Sequence, residues 1–215
     1  ADGTAPSSSD LATMMDLQVA VLVEYGPNNL PQQGATFAGL STGYMRDTND
    51  PGYAGYNTVF GASGVLPSSY LAAHGGSLTL GPDCSGACMD GTGANGSVNR
   101  RLTVRVPTNV SGLAYRTRFF TSDYSDFTCK VFNDAHLALL DSTAAGLPQD
   151  GNIAVDSDGF PMSIRSELIT SCAPQGCFVC YDGDAALTNT GMTAATQWVE
   201  ISAPVVGGET ITLDL

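Results

Sequence analysis

From Asn99 onward the chain is cut into short runs: "NRRLTVRVP", "GLAYRTRFFTS", "AHLALLDS", "GNIAVDSDG", "TQWVEISAPV" and "ETITLDL", each bounded by Gly, Pro or Asp. Turn-bounded runs of this kind, rich in β-branched and aromatic residues, predict strands. The breakers between them leave no room for a helix of ordinary length. Composition points the same way: 13% of residues are charged, Lys occurs once (Lys130), and the acids are 17 Asp against 4 Glu. Exposed helix faces need Lys, Glu and their like, whereas Asp favours turns and caps. The expectation is an all-β fold, a β-sandwich or jelly roll. A chain of 215 residues can bury roughly 70% of its extended surface, which is enough for one sandwich core. Residues 1–16 read as a flexible or donated N-terminal arm and residues 17–215 as a single sandwich domain.

Upstream, "MMDLQVAVLVEYG" is apolar on both faces from Val19 to Val23 and reads as a strand buried on both sides. "GATFAGLSTGY" reads as a short strand and turn, Arg46 to Tyr70 as mostly loop, and "GGSLTLG" as a short strand. "GGETITLDL" sets a problem, because Thr210 to Leu215 alternates polar and apolar as a half-buried strand and then stops. A strand needs partners along its edges. The expectation is therefore a sandwich left open at this strand and closed by a strand from another copy, with the N-terminal region, "LATMMDLQVAVLV" included, as the donor. The alternative is that this N-terminal strand folds back and closes its own sandwich.

The formal net charge of −13 argues against a phosphate-backbone partner. The only basic cluster, Arg100-Arg101 with Arg105, Arg116 and Arg118, reads as the wet face of a strand whose other face is Leu102, Val104 and Val106. No run of 18 apolar residues suggests a membrane span. The opening "ADGTAPSSSD" resembles the end left by signal-peptide cleavage, so an extracellular or cell-surface location is expected. Six cysteines, Cys84, Cys88, Cys129, Cys172, Cys177 and Cys180, fit disulfides in that compartment. Spacing suggests local Cys84–Cys88 and Cys177–Cys180 bonds, with Cys129–Cys172 as the long staple. A thiolate zinc site using Cys172, Cys177 and Cys180 is the rival, but it lacks a second knuckle of matching spacing.

Catalytic signals are sparse. "GLSTG" matches the pattern of a nucleophile elbow around Ser41, but the following "YMRDTNDPGYAGY" cannot be the helix that motif requires. His74 and His136 have no nucleophile at a telling spacing. Acidic loops carry Asp126, Asp134, Asp156 and Asp158, which are candidate calcium ligands, although "DSDG" lacks the downstream bidentate Glu. The competing reading is turn chemistry. No other cofactor is indicated, and no enzymatic activity is expected.

Three stretches carry a resemblance: "LAYRTRFFTSDYSDFTCKVFNDAHLALLDS", "GNIAVDSDGFPMSI" and "TQWVEISAPVVGGETITLDL". They resemble the choice-of-anchor domain family, nearest its L type. The matching features are Phe119-Phe120, Asp123-Tyr124-Ser125-Asp126-Phe127, Phe132-Asn133-Asp134 and Leu139-Leu140-Asp141-Ser142. The resemblance implies a secreted bacterial β-sandwich, common in large extracellular proteins, with no established catalytic residues. It also implies strands beyond "GGETITL" that this chain lacks, and a non-catalytic turn at Ser41. The expected function is a structural subunit of an extracellular filament or surface assembly, built from copies of itself by strand complementation. The alternative is a secreted adhesion or carbohydrate-binding module, using Tyr44, Tyr53, Tyr56 and Trp198.

Overall fold

A computed structural model of the chain describes residues 18–53, 55, 63–64, 66–82, 86, 88–89, 94–131, 133–173 and 179–215. The described elements are almost entirely antiparallel strands. In chain order they are β1 (Val19–Leu22), β2 (Phe37–Leu40), β3 (Ser63–Gly64), the helix α1 (Ser68–Ala73), β4 (Ala94–Asn95), β5 (Arg101–Arg105) and β6 (Gly112–Thr117). There follow β7 (Phe120–Thr121), β8 (Ala135–His136), β9 (Leu139–Asp141), β10 (Met162–Ser163), β11 (Ile169–Cys172), a 3-10 turn (Ala185–Leu187), β12 (Ala194–Thr196), β13 (Val199–Pro204) and β14 (Thr210–Asp214).

Two layers make the sandwich. One is the sheet β5–β14–β9, and the other is the β6–β13 ladder. Alternation along each strand turns one set of side chains inward: Ile211 and Leu213 from β14, Leu140 from β9, and Ile201 and Ala203 from β13. Val106, Ala138, Ile153, Ala154 and Met162 complete this core, with Leu113 and Tyr115 of β6 against it. The second layer continues past an irregular step, where Thr196 N–H donates to Phe119 O at 3.0 Å, into the sheet β11–β12–β7. That sheet has its own cluster of Tyr124, Ile164, Ile169, Cys172 and Ala194.

Several expectations change. The C-terminal strand is not an open edge: β14 is the middle strand of its sheet, with β5 on one side and β9 on the other. The β1 strand is not buried on both faces. Val21 and Val23 are 78% and 66% exposed, and among the described residues β1 pairs only with β2 of its own chain. Ser77–Leu80 forms no strand, and "GNIAVDSDG" contributes only the isolated bridges Leu139↔Asn152 and Val155↔Pro161. Within the stretch read as loop, Ser68–Ala73 is a helix. Pro67 precedes it, Leu71-Ala72-Ala73 favours it and Gly75-Gly76 ends it, while Tyr70 is wholly buried among Leu66, Leu78 and Leu80.

The cysteine pairing also differs from the spacing-based reading. Cys88 bonds to Cys129, with Cα atoms 4.9 Å apart, and Cys172 bonds to Cys180, at 5.2 Å. Cys84 and Cys177 lie outside the described residues. Proximity in sequence misled for Cys88, whose partner lies 41 residues away, and for Cys172, which closes a short local loop in place of the long staple. Cys172 closes on Cys180 because Asp182 N–H donates to Thr170 O and Cys172 N–H to Gly183 O, folding that segment back on itself. Their mutual bond also excludes a zinc site that uses both thiolates.

Arg165 knits the long loops to the core. It is only 5% exposed, and its guanidinium donates to the backbone carbonyls of Gly81, Met89, Thr128 and Lys130. Two of these flank Cys129 and one adjoins Cys88, so the arginine and the disulfide brace the same junction. Asn152, fully buried, similarly accepts the N–H groups of Ala138 and Ala154.

Two outcomes are expected. Arg165→Ala strands several buried carbonyls and should destabilise by about 3 kcal/mol or more, seen as a melting temperature lower by about 6–12 °C. Peptide mapping without reduction should recover the Cys88–Cys129 and Cys172–Cys180 links. In the chain-entropy picture these closures, 41 and 8 residues apart, stabilise by about 4 and about 2.5 kcal/mol.

Candidate functional site: the open edge of the sandwich

The edge position passes from β14 to β5. Every residue of β5 is exposed, and it has a hydrogen-bonded neighbour on one side only among the described residues. Arg100 and Leu215 exchange both backbone hydrogen bonds (2.8 and 3.0 Å), and Val106 N–H donates to Glu209 O at 2.9 Å. Antiparallel alternation therefore turns the amides of Leu102 and Val104 toward β14 and those of Arg101, Thr103 and Arg105 outward. Three consecutive outward N–H groups and their carbonyls form an unused ladder five residues long.

The two faces of this edge differ. Leu102 and Val104 stand opposite Leu213 and Ile211, so they continue the apolar face of the core to its rim. Leu213 and Ile211 are 4% and 1% exposed, but Leu102 and Val104 are 42% and 40% exposed. The sequence placed this pair correctly on the inward face, yet nothing described covers it. On the other face lie Arg101, Thr103 and Arg105. Arg101 Nε and Nη2 donate to the two oxygens of Asp214, each at 2.7 Å, a bidentate pair between register partners. That bond holds the Asp214 carboxyl below the usual carboxylate range. Arg100 and Arg105 form no ion pair among the described residues.

A tight corner carries the edge. Val106 passes into Pro107–Ser111 beside the β13–β14 turn, where a Cβ on Gly207 would sit 2.5 Å from Thr108 O. Glu209 accepts the hydroxyls of Ser142 and Thr143 and the amides of Thr143 and Val206. These bonds, the Ser142 hydroxyl foremost, hold its carboxyl down to about 2.

The other candidate residues are dispersed. Asp126 and Asp158 are exposed, and Asp156 accepts the amides of Asp158 and Phe160 and the Ser166 hydroxyl, an Asx-type turn. Asp134 is deeply placed, accepts the Thr121 hydroxyl at 2.8 Å and lies beside Asp123. No group of three or more metal-ligating side chains occurs among the described residues. The Ser41 hydroxyl accepts the Gly43 amide, closing a turn, while the His74 ring is hydrogen-bonded to Asp150 and stacked on Tyr70. The His136 ring nitrogen Nε2 is shut from solvent, and burial holds that imidazole down to about 4. Trp198 packs edge-on against Phe37, and Tyr53 lies beside Gly191. Tyr44 is half-buried, and Tyr56 lies outside the described residues. A shallow depression of about 490 Å³ lies over β6 and β13, lined by Ser111, Leu113, Ser202 and Pro204 among others, with no titratable side chain in its wall.

Sequence reasoning missed the Asp123–Asp134 pair, although "FTSDYSDF" and "FND" both stood out. Their meeting requires Thr121, in β7, to reach the segment before β8.

Comparison with known proteins returned no matching family model, no matching curated relative and no matching solved structure.

The acidic pair gives a pH-dependent expectation. Burial first, then the neighbouring Asp134 charge, pushes the Asp123 carboxyl up to about 6, from 3.8. A carboxyl raised on folding contributes stability fully below its unfolded value and loses it as pH rises through about 6. Asp123→Asn removes that loss while keeping an acceptor for the Asp134 amide. After discounting for solvent, the variant should be more stable at pH 7.5 by about 1–2 kcal/mol, or about 2–8 °C in melting temperature. The difference should shrink toward zero at pH 4.

Proposed function

We propose that this chain is a structural subunit of an extracellular assembly, joined to its neighbours by strand addition at the β5 edge. One observation carries the reading: five exposed residues whose outward backbone groups have no partner among the described residues and whose apolar pair, Leu102 and Val104, prolongs the core face. Proteins that remain monomeric blunt such edges with charges, bulges, prolines or covering loops. Here the only such device among the described residues is the arginines, which still admit an acidic partner. Here the ladder β5–β14 runs in continuous register from Arg101↔Asp214 to Arg105↔Thr210, so an added strand would find a regular template. A contact of an edge with a different segment of the next copy is heterologous and propagates as a fibre. The two described disulfides fit an oxidising compartment, and no helix among the described residues is long and apolar enough to cross a membrane. A secreted assembly of this kind agrees with the choice-of-anchor resemblance.

Thr103→Pro tests the reading directly. Thr103 N–H points away from β14, so proline removes an edge donor without breaking a bond of the existing sheet. The variant should fold with the same disulfides and melt within a few degrees of the wild type, yet fail to form the assemblies that wild type forms in sedimentation and negative-stain images. A Thr103→Pro chain that assembles like the wild type, or a wild-type chain that stays monomeric at high concentration, overturns it.

A further inference from the structure

We infer that the occupant of the β5 edge is the segment Asp10–Leu17 of a second copy, laid antiparallel along Arg101–Arg105. This rests on the strand-addition reading above and names its partner. The argument is pattern complementarity along two faces. Taken as a strand, "DLATMMDL" places Asp10, Ala12, Met14 and Asp16 on one side and Leu11, Thr13, Met15 and Leu17 on the other. The β5 strand places Arg101, Thr103 and Arg105 on one side and Leu102 and Val104 on the other. Antiparallel pairing with the acidic side over the arginines lays Thr13 and either Leu11 or Met15 opposite Leu102 and Val104, with the other of the two apolar side chains next along the same face. In either register that does so, Asp10 falls opposite or diagonal to Arg105 and Asp16 opposite or diagonal to Arg101.

Charge distribution supports the same occupant. The chain has only 8 basic residues in a net charge of −13, yet Arg100, Arg101 and Arg105 gather on this edge. Residues 1–17 contain Asp2, Asp10 and Asp16 and no Lys or Arg. Arg101 is already held by Asp214, so Arg100 and Arg105 carry the attraction for the acidic segment, while most of the remaining surface repels it. Length agrees too: eight extended residues span roughly 26 Å, which covers a five-residue strand with a residue or more beyond each end. The segment also leaves from a fixed point. Gln18 is 1% exposed, and its amide donates to the carbonyls of Ser41 and Thr42 at 3.2 and 3.1 Å. An anchored root lowers the ordering entropy of docking and would hold neighbouring subunits close.

Residue-resolved amide exchange on the full chain, read with sedimentation across a dilution series, tests the inference. In concentrated wild type, the amides of Arg101, Thr103 and Arg105 should slow by tenfold or more, in step with assembly. Leu11→Asp/Met15→Asp should leave them fast and weaken assembly at least tenfold. Arg105→Glu should do the same, and Asp10→Arg/Arg105→Glu should restore a large part of it. If those amides are protected equally in wild type and in Leu11→Asp/Met15→Asp, the edge is occupied by another segment and this inference falls while strand addition stands. Protection that persists in a dilute monomer places the segment on its own chain and removes the second copy. Wild type that assembles with β5 amides still fast, or never assembles and never protects them, overturns both readings.

Discussion

The structure hangs on the strand Thr210–Asp214. It is hydrogen-bonded to β5 along five residue pairs and to β9 along three, so one strand joins two segments that lie far from it and from each other in the chain. Ile211 and Leu213 pin it to the opposite layer, each essentially buried, and together they remove roughly 3–6 kcal/mol worth of apolar side chain from water. Its polar ends are tied as well, Asp214 by Arg101 and the preceding Glu209 by Ser142, Thr143 and Val206. Take this strand away and β5 has no hydrogen-bonded neighbour among the described residues.

Around that strand the interior is held by polar clamps as much as by apolar packing. Arg165 gathers four loop carbonyls, Asn152 bridges two amides, and Arg118 joins Asn29, Ser171 and Thr196. Loops that would otherwise bury unpaired backbone groups are satisfied from these few side chains. The Asp123–Asp134 pair works in the opposite sense: two carboxyl groups share a partly dry site, and burial disfavours the charged form of both. Such a pair is tolerated where the surrounding core supplies enough stability.

Occupying both edges of β14 has a consequence for association. With β14 enclosed in its sheet, the edge among the described residues is β5, which carries Arg101 and Arg105 beside a half-exposed apolar pair. Arginines at an edge discourage indiscriminate pairing with like-charged edges and favour an acidic, apolar-patterned partner. Specificity and exposure then reside on the same five residues.

Much of this was legible in the residues. Turn punctuation and the scarcity of helix formers determined an all-β fold, and alternation assigned Leu102 and Val104 to the inward face and Ile211 and Leu213 to the core. Local rules sufficed there because strand period and turn chemistry depend on neighbours in sequence. The helix Ser68–Ala73, flanked by Pro67 and Gly75, was also written locally and was overlooked as loop. Tertiary structure alone decided which strand is central and which is edge, which cysteines meet, and that Asp123 and Asp134 share a site. The strand order and the Cys88–Cys129 bond depend on segments far apart in the chain, and the other contacts on how a loop folds back between its ends. Hydrophobic pattern says which face a strand buries but not which neighbour it hydrogen-bonds, so the closed edge at Leu215 and the open one at β5 were exchanged until register was known.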